Sequence, residues 1–140
     1  MTSSPIHEVE RQHRFIEAWM SGTDVDALGW QNFGDSLGEG FEMTTPDGDS
    51  IARSDLLVSF EQARNALPGV KIEIRNSKEL LRSPTMAVVR YEEWQLHPTG
   101  ANQRVSTVVL QAAAQAPGSW LWVALHETRL EPGSSTTESR

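Results

Sequence analysis

The 140-residue sequence contains no cysteine, which excludes disulfide frameworks, thiolate metal sites and cysteine nucleophiles. It has no apolar run approaching the roughly 18 residues of a membrane-spanning helix. The opening MTSSPIHEVERQ lacks the basic and apolar segments of a secretion signal, so the expectation is a cytoplasmic protein without a membrane partner. Positive charge is scarce: 12 Lys and Arg stand against 19 Asp and Glu, and a net charge of -7 argues against nucleic acid as a partner. His7, His13, His97 and His126 show neither i,i+4 spacing nor an H-E-x-x-H motif, so no metal is expected. No G-x-S-x-G context and no glycine-rich loop after a strand is present, which removes the usual hydrolase and nucleotide readings and leaves no cofactor expected. Hydrophobic residues are also few, at 38%, whereas five Trp is a high count, so a few large side chains must carry much of the packing.

This length suits one domain. Met1 to Pro5 is short and polar, and Glu131 to Arg140 lacks any apolar residue after a Pro-Gly break, so 1–5 and 131–140 read as disordered tails around a single domain at 6–130. Val9, His13, Ile16, Trp19 and Met20 recur at helical spacing, while Glu8, Arg11, Arg14 and Glu17 lie largely elsewhere, and Gly22 ends this first helix. Thr23 or Asp24 can cap a second, glycine-loosened helix carrying Leu28, Trp30, Phe33 and Leu37. Phe41, Met43 and Thr45 alternate into Pro46-Asp47-Gly48-Asp49, the pattern of a short hairpin strand and a turn with positive φ at Gly48.

Ser54 then reads as the cap of a third helix running to Leu67, closed by Pro68-Gly69. Everything beyond is strand: Val70 to Leu81 with a bulge near Asn76-Ser77, then Thr85 to Leu96, Gln103 to Ala114 and Trp120 to Leu130, joined by short antiparallel connections. Helices followed by long meandering strands predict an α+β domain. Strands of about eleven residues cannot stay flat, so the N-terminal helices should pack on a strongly curved antiparallel sheet as a cone with an interior cavity.

The hairpin FEMTTPDGDSIARSDLL, the strand segments MAVVRYEEWQL and RVSTVVL, and the terminal GSWLWVALHETRL, in this order, resemble the nuclear transport factor 2-like superfamily and its SnoaL-like branch. That resemblance implies the cystatin-like cone over residues 6–130; its members range from dehydratases and isomerases to binding and oligomerisation domains. The chain is similar also to the association domain of calcium/calmodulin-dependent kinases. Trp120, His126 and Thr128 match that family's last-strand pattern, and Arg90 matches an inward-pointing middle-strand arginine. Where that family has a second inward arginine this chain has Glu127, and a Glu facing Arg90 neutralises the group that would attract a carboxylate. The isomerase pattern of the superfamily needs a first-helix tyrosine, whereas this helix offers Phe15 and Trp19, and the only tyrosine is Tyr91.

Alternation places Arg90, Glu92 and Trp94 on one face of their strand and Tyr91, Glu93 and Gln95 on the other. Charge here signals either a structural ion pair on a solvated or dimeric face, or a pocket whose buried carboxylate exchanges protons. On the last strand Trp120, Trp122, Ala124, His126 and Thr128 oppose Leu121, Val123, Leu125, Glu127 and Arg129, and either set can face the cavity. The resemblance favours the Glu127 side. His13 is a pocket candidate or a hydrogen-bonded core residue, and His126 is a proton-transfer candidate with Glu93 or Glu127, or an interface residue. The tryptophans, Trp19 and Trp120 among them, either line an apolar cavity or build core and dimer contacts.

The expectation is therefore a pocket with Glu92 and His126 as catalytic groups and Arg90, Trp94, Glu127, His13, Trp19 and Trp120 binding the ligand. In it a small, largely hydrophobic molecule would be bound or transformed by cofactor-free acid/base chemistry. The alternative is a non-catalytic association module. Exposed tryptophan on a broad sheet favours a homodimer in either case.

Overall fold

A computed structural model describes residues 4–131; of the two expected tails, 1–3 and 132–140 lie outside the described residues. Helix α1 spans Pro5–Ser21. The Ser4 hydroxyl accepts the His7 amide and proline occupies the first turn, where its missing N–H costs nothing, so the helix begins one residue before the expected boundary at 6. Gly22, at φ 95°, closes it. Helix α2 spans Ala27–Asp35, and its cap is Asp26, whose Oδ1 accepts the Gly29 amide at 2.8 Å, rather than Thr23 or Asp24. Thr23 is committed elsewhere, since its amide bonds the Ala18 carbonyl to finish α1.

Strand β1 (Leu37–Thr44) and β2 (Ser50–Ala52) form the expected hairpin, with Gly48 at φ 93°. Leu37, expected on α2, already belongs to β1, where it pairs with Trp122. Helix α3 is Arg53–Gln62; Ala52 occupies the N-cap and Ser54 does not cap it. Arg53 instead anchors its start, donating to the carbonyls of Leu37 and Gly34 at 3.2 and 2.8 Å. The helix also stops before Leu67, because the amides of Asn65 and Leu67 are drawn to the Trp19 and Met20 carbonyls at the end of α1.

Strands β3 (Lys71–Arg82), β4 (Met86–His97), β5 (Gly100–Ala112) and β6 (Trp120–Leu130) complete a six-stranded sheet ordered β2-β1-β6-β5-β4-β3. The fold is the expected α+β arrangement of N-terminal helices on a curved, unclosed sheet, with one parallel pairing, β1 against β6. The anticipated bulge is present: register shifts between Arg75 and Lys78, and Asn76 adopts φ 54°. A second break decides the site. Leu110 pairs with Trp122 and Val109 with Ala124, so Val123 is extra and the side-chain alternation of β6 changes face there.

Helix α1 lies across β3 and β4 on the inner face, burying Val9, Ile16 and Trp19. Glu8, expected on the polar side, is fully buried. Its burial is tolerated because Arg11 forks onto both carboxylate oxygens at 2.8 and 2.9 Å and Trp122 Nε1 donates to Oε2 at 2.9 Å. The β5–β6 connection closes tightly over this carboxylate, since a Cβ added at Gly118 would stand 1.8 Å from Glu8 Oε1. Among the described residues, no helix is long and apolar enough to cross a membrane.

Candidate functional site

Between α1, α3 and the inner face of the sheet lies a cavity of about 290 Å³. Its walls are apolar, from Ile16, Phe33, Phe41, Leu56 and Leu125, and Ser59, Phe60 and Ala63 of the α3 region border it. Its polar part holds four ionisable side chains, His13, Glu93, Arg104 and Glu127, beside Gln12 and Gln95. Three of them are almost completely enclosed, with exposures of 5% for His13, 4% for Glu93 and 5% for Glu127.

Cross-strand register assembles the group. Glu93 of β4 stands opposite Arg104 of β5, and Ser106 of β5 stands between Tyr91 and Glu127. Helix α1 adds His13 one turn after Val9, whose carbonyl lies 2.8 Å from Nδ1 and takes its proton. Nε2 meets Glu93 Oε1 at 3.1 Å, and Gln95 Nε2 donates to Glu93 Oε2 at 2.7 Å. With Nδ1 donating to a carbonyl, the short Nε2 contact requires a further proton between imidazole and carboxylate. That proton belongs on the ring. Burial alone depresses the imidazolium, but the charge and hydrogen bond of Glu93, aided by the Val9 carbonyl and the charge of Glu127, outweigh it and raise the His13 pKa. Burial likewise pushes Glu93 upward, and His13, Arg104 and Gln95 together pull it down to about 2.

The second pair behaves differently. Arg104 Nη1 donates to Glu127 Oε1 at 2.9 Å, yet burial first and the Glu93 charge second raise the Glu127 pKa against the pull of Arg104 and His13. Glu127 Oε2 makes no hydrogen bond among the described residues, and the buried Arg104 Nε has no partner there either. The Tyr91 hydroxyl and Ser106 Oγ, on facing residues of β4 and β5, are buried as well. Burial, then the Glu93 and Glu127 charges, hold that phenol well above its usual range against the weaker influence of Ser106 and Arg104, so it stays protonated.

Of the residues expected in the pocket, His13 and Glu127 line it. Arg90, Glu92 and Trp94 do not: α1 packs against the Tyr91, Glu93 and Gln95 face, so the other alternate set of β4 points outward. Arg90 and Glu92 meet His126 there in a groove of about 430 Å³ across the outer face of the sheet. Glu92 accepts from Asn76 Nδ2 and Trp94 Nε1, each at 3.0 Å, Arg90 Nε donates to Thr107 at 3.3 Å, and Arg75 lies 4.0 Å from the Trp94 ring centroid. The arginine that Glu127 neutralises is Arg104, not Arg90. Trp19 is buried against Trp30, with ring centroids 4.6 Å apart, and donates to the Phe60 carbonyl; Trp120 fills the core.

The last strand resolves both of its alternatives at once, because the extra residue Val123 turns Trp120 and Trp122 inward before it and Leu125 and Glu127 inward after it. Sequence reasoning missed Arg104 and gave Glu93 the wrong partner. The signal available was the inner-face alternation of Arg104, Ser106 and Val108 on β5 opposite Glu93 and Tyr91 on β4. Among the described residues no group of three or more His, Asp or Glu side chains is arranged to hold a metal ion.

No protein-family model matches the chain, and no curated protein is significantly similar to it. Solved structures are similar. An NTF-2-like protein of unknown function from Pseudomonas aeruginosa is 28% identical with a TM-score of 0.83, covering 90% of this chain and 98% of that one. A putative calcium/calmodulin-dependent protein kinase type II association domain from Thiobacillus denitrificans is 12% identical with a TM-score of 0.69, covering 94% and 98%. A domain of unknown function with a cystatin-like fold from Nostoc punctiforme is 18% identical with a TM-score of 0.66, covering 94% and 80%. The chain has the cystatin-like fold of the nuclear transport factor 2-like superfamily.

Proposed function

We propose that residues 6–130 act as one domain that binds a small, largely apolar molecule in the cone and exchanges a proton with its polar end through Glu127. The observation that carries this reading is an apolar cavity of about 290 Å³, near the lower end of small-molecule sites, that contains a buried carboxylate with raised proton affinity and an uncommitted oxygen. The His13–Glu93 pair is internally satisfied, which suits a positioning group: it holds a fixed charge distribution beside Glu127 and keeps that carboxyl protonated to higher pH. A screen of uncharged aromatic fragments by protein-observed NMR tests the proposal. Shifts confined to residues bordering the cavity support it, and a screen in which no fragment perturbs His13, Leu125 or Glu127 refutes it.

A second reading has its own support. The outer face of β3 to β6 presents Trp94, Leu80 and Val105 among hydroxyl and charged groups, and one similar structure is called an association domain. On this reading the chain forms a homodimer through its sheet. Light scattering at micromolar concentration gives a dimer mass that Val105→Arg converts to a monomer; a monomeric wild type refutes it.

A further inference from the structure

We infer that Glu127 selects the charge of the ligand: by capping Arg104 it reserves the cavity for uncharged molecules with a hydrogen-bond donor, such as a primary amide, and excludes organic anions. The inference rests on the reading of the cavity as a ligand site. The four ionisable groups cancel in pairs, His13 with Glu93 and Arg104 with Glu127. Both nitrogens of His13 are engaged, so the ring offers a ligand no donor. Arg104 is committed to Glu127 through Nη1 and its Nε is buried, while Glu127 holds an uncommitted acceptor at Oε2.

An uncharged amide can donate to Glu127 Oε2 without disturbing either pair. A carboxylate approaching the same guanidinium meets the Glu127 carboxylate 2.9 Å from it and the Glu93 carboxylate across the strand pair, in a site where burial weakens solvent screening. Removing the Glu127 charge leaves the Arg104 guanidinium uncompensated and frees the Nη1 that held it, so a carboxylate can take the place of Glu127.

The test titrates phenylacetamide and phenylacetate into the full chain at about pH 7.5, comparing wild type, Glu127→Gln and the double variant Glu127→Gln/Arg104→Gln. Wild type should bind the amide at least about tenfold more tightly, Glu127→Gln should reverse that preference, and the double variant should lose the gained phenylacetate affinity. Equal wild-type affinities, or a preference unchanged by Glu127→Gln, overturn charge selection while leaving the cavity reading intact. Failure of both probes to bind any of the three proteins overturns both.

Should Glu127→Gln not fold, p-toluenesulfonate, which stays ionised, replaces phenylacetate with the wild type between about pH 6 and about pH 4.5. Over that range His13 is held protonated, Glu93 ionised and Tyr91 protonated, while Glu127, whose proton affinity burial raises, takes up its proton on acidification. Sulfonate affinity should rise several-fold on acidification while amide affinity stays flat; a flat sulfonate profile overturns the inference.

Discussion

Replacing Glu93 with glutamine removes one charge from the cavity and almost no volume, so its effect reports on the His13 proton. In the wild type the raised His13 pKa adds stability that is complete below pH 6.5 and is lost as pH climbs through the raised value. Glu93, lowered from 4.5 to about 2, adds stability that is complete above pH 4.5 and is lost as pH falls toward 2. The pair therefore supports the fold most between pH 4.5 and 6.5. In Glu93→Gln only burial, the Val9 carbonyl and the more distant Glu127 charge act on the ring, and burial, the strongest of them, favours the neutral form. At about pH 7.5 a neutral imidazole can accept the new amide N–H, so the loss should be near one hydrogen bond, about 1 kcal/mol. At about pH 5 the ring must either stay charged without a counter-ion or release its proton against the solution, and the loss should grow to about 3 kcal/mol. Urea unfolding of both proteins at the two pH values measures the difference, and NMR titration of the His13 ring identifies its source. Equal losses at both pH values, or an unmoved His13 titration, would refute the assignment of the proton to His13.

Gly118→Ala should cost about 1–3 kcal/mol in urea unfolding, because its Cβ must displace a Glu8 carboxylate that is held by Arg11 and Trp122; Gly40→Ala, with open space around it, is the control and should lose no more than the usual glycine-to-alanine scatter of about 0.5 kcal/mol. Ser59→Trp, at the exposed border of the cavity, should weaken phenylacetamide binding by about tenfold while changing stability by no more than about 0.5 kcal/mol; undiminished binding would place the ligand elsewhere. Glu92→Gln should leave the amide affinity unchanged, because Glu92 lies on the outer face with Asn76 and Trp94, and an altered affinity would assign the ligand to the outer groove.

Much of the architecture was legible because it depends on local patterns. The α1 stripe from Val9 to Trp19, the Gly48 turn, the Asn76 bulge and the bounds of β6 each follow from spacing, turn chemistry or alternation within a few residues. Element ends were read less well where distant groups competed for the backbone. Arg53 ties the first residue of α3 to the Leu37 and Gly34 carbonyls, and the end of α1 draws away the amides of Asn65 and Leu67 that would have continued it.

The composition and order of residues determined that this chain makes an α+β cone, and that Arg90, Glu92 and Trp94 must share one face of β4 while Tyr91, Glu93 and Gln95 share the other. They did not determine which face is inside, because alternation is symmetric until another element covers one side, and only the docking of α1 on β3 and β4 breaks that symmetry. The same holds for β6, where one unpaired residue, Val123, exchanges the faces partway along and sends both Trp122 and Glu127 inward. The His13–Glu93 contact joins groups 80 residues apart, and the Arg104–Glu127 contact depends on two strands in register. Charge neutralisation in a buried site follows from distances of a few ångströms, and such distances are set by tertiary packing.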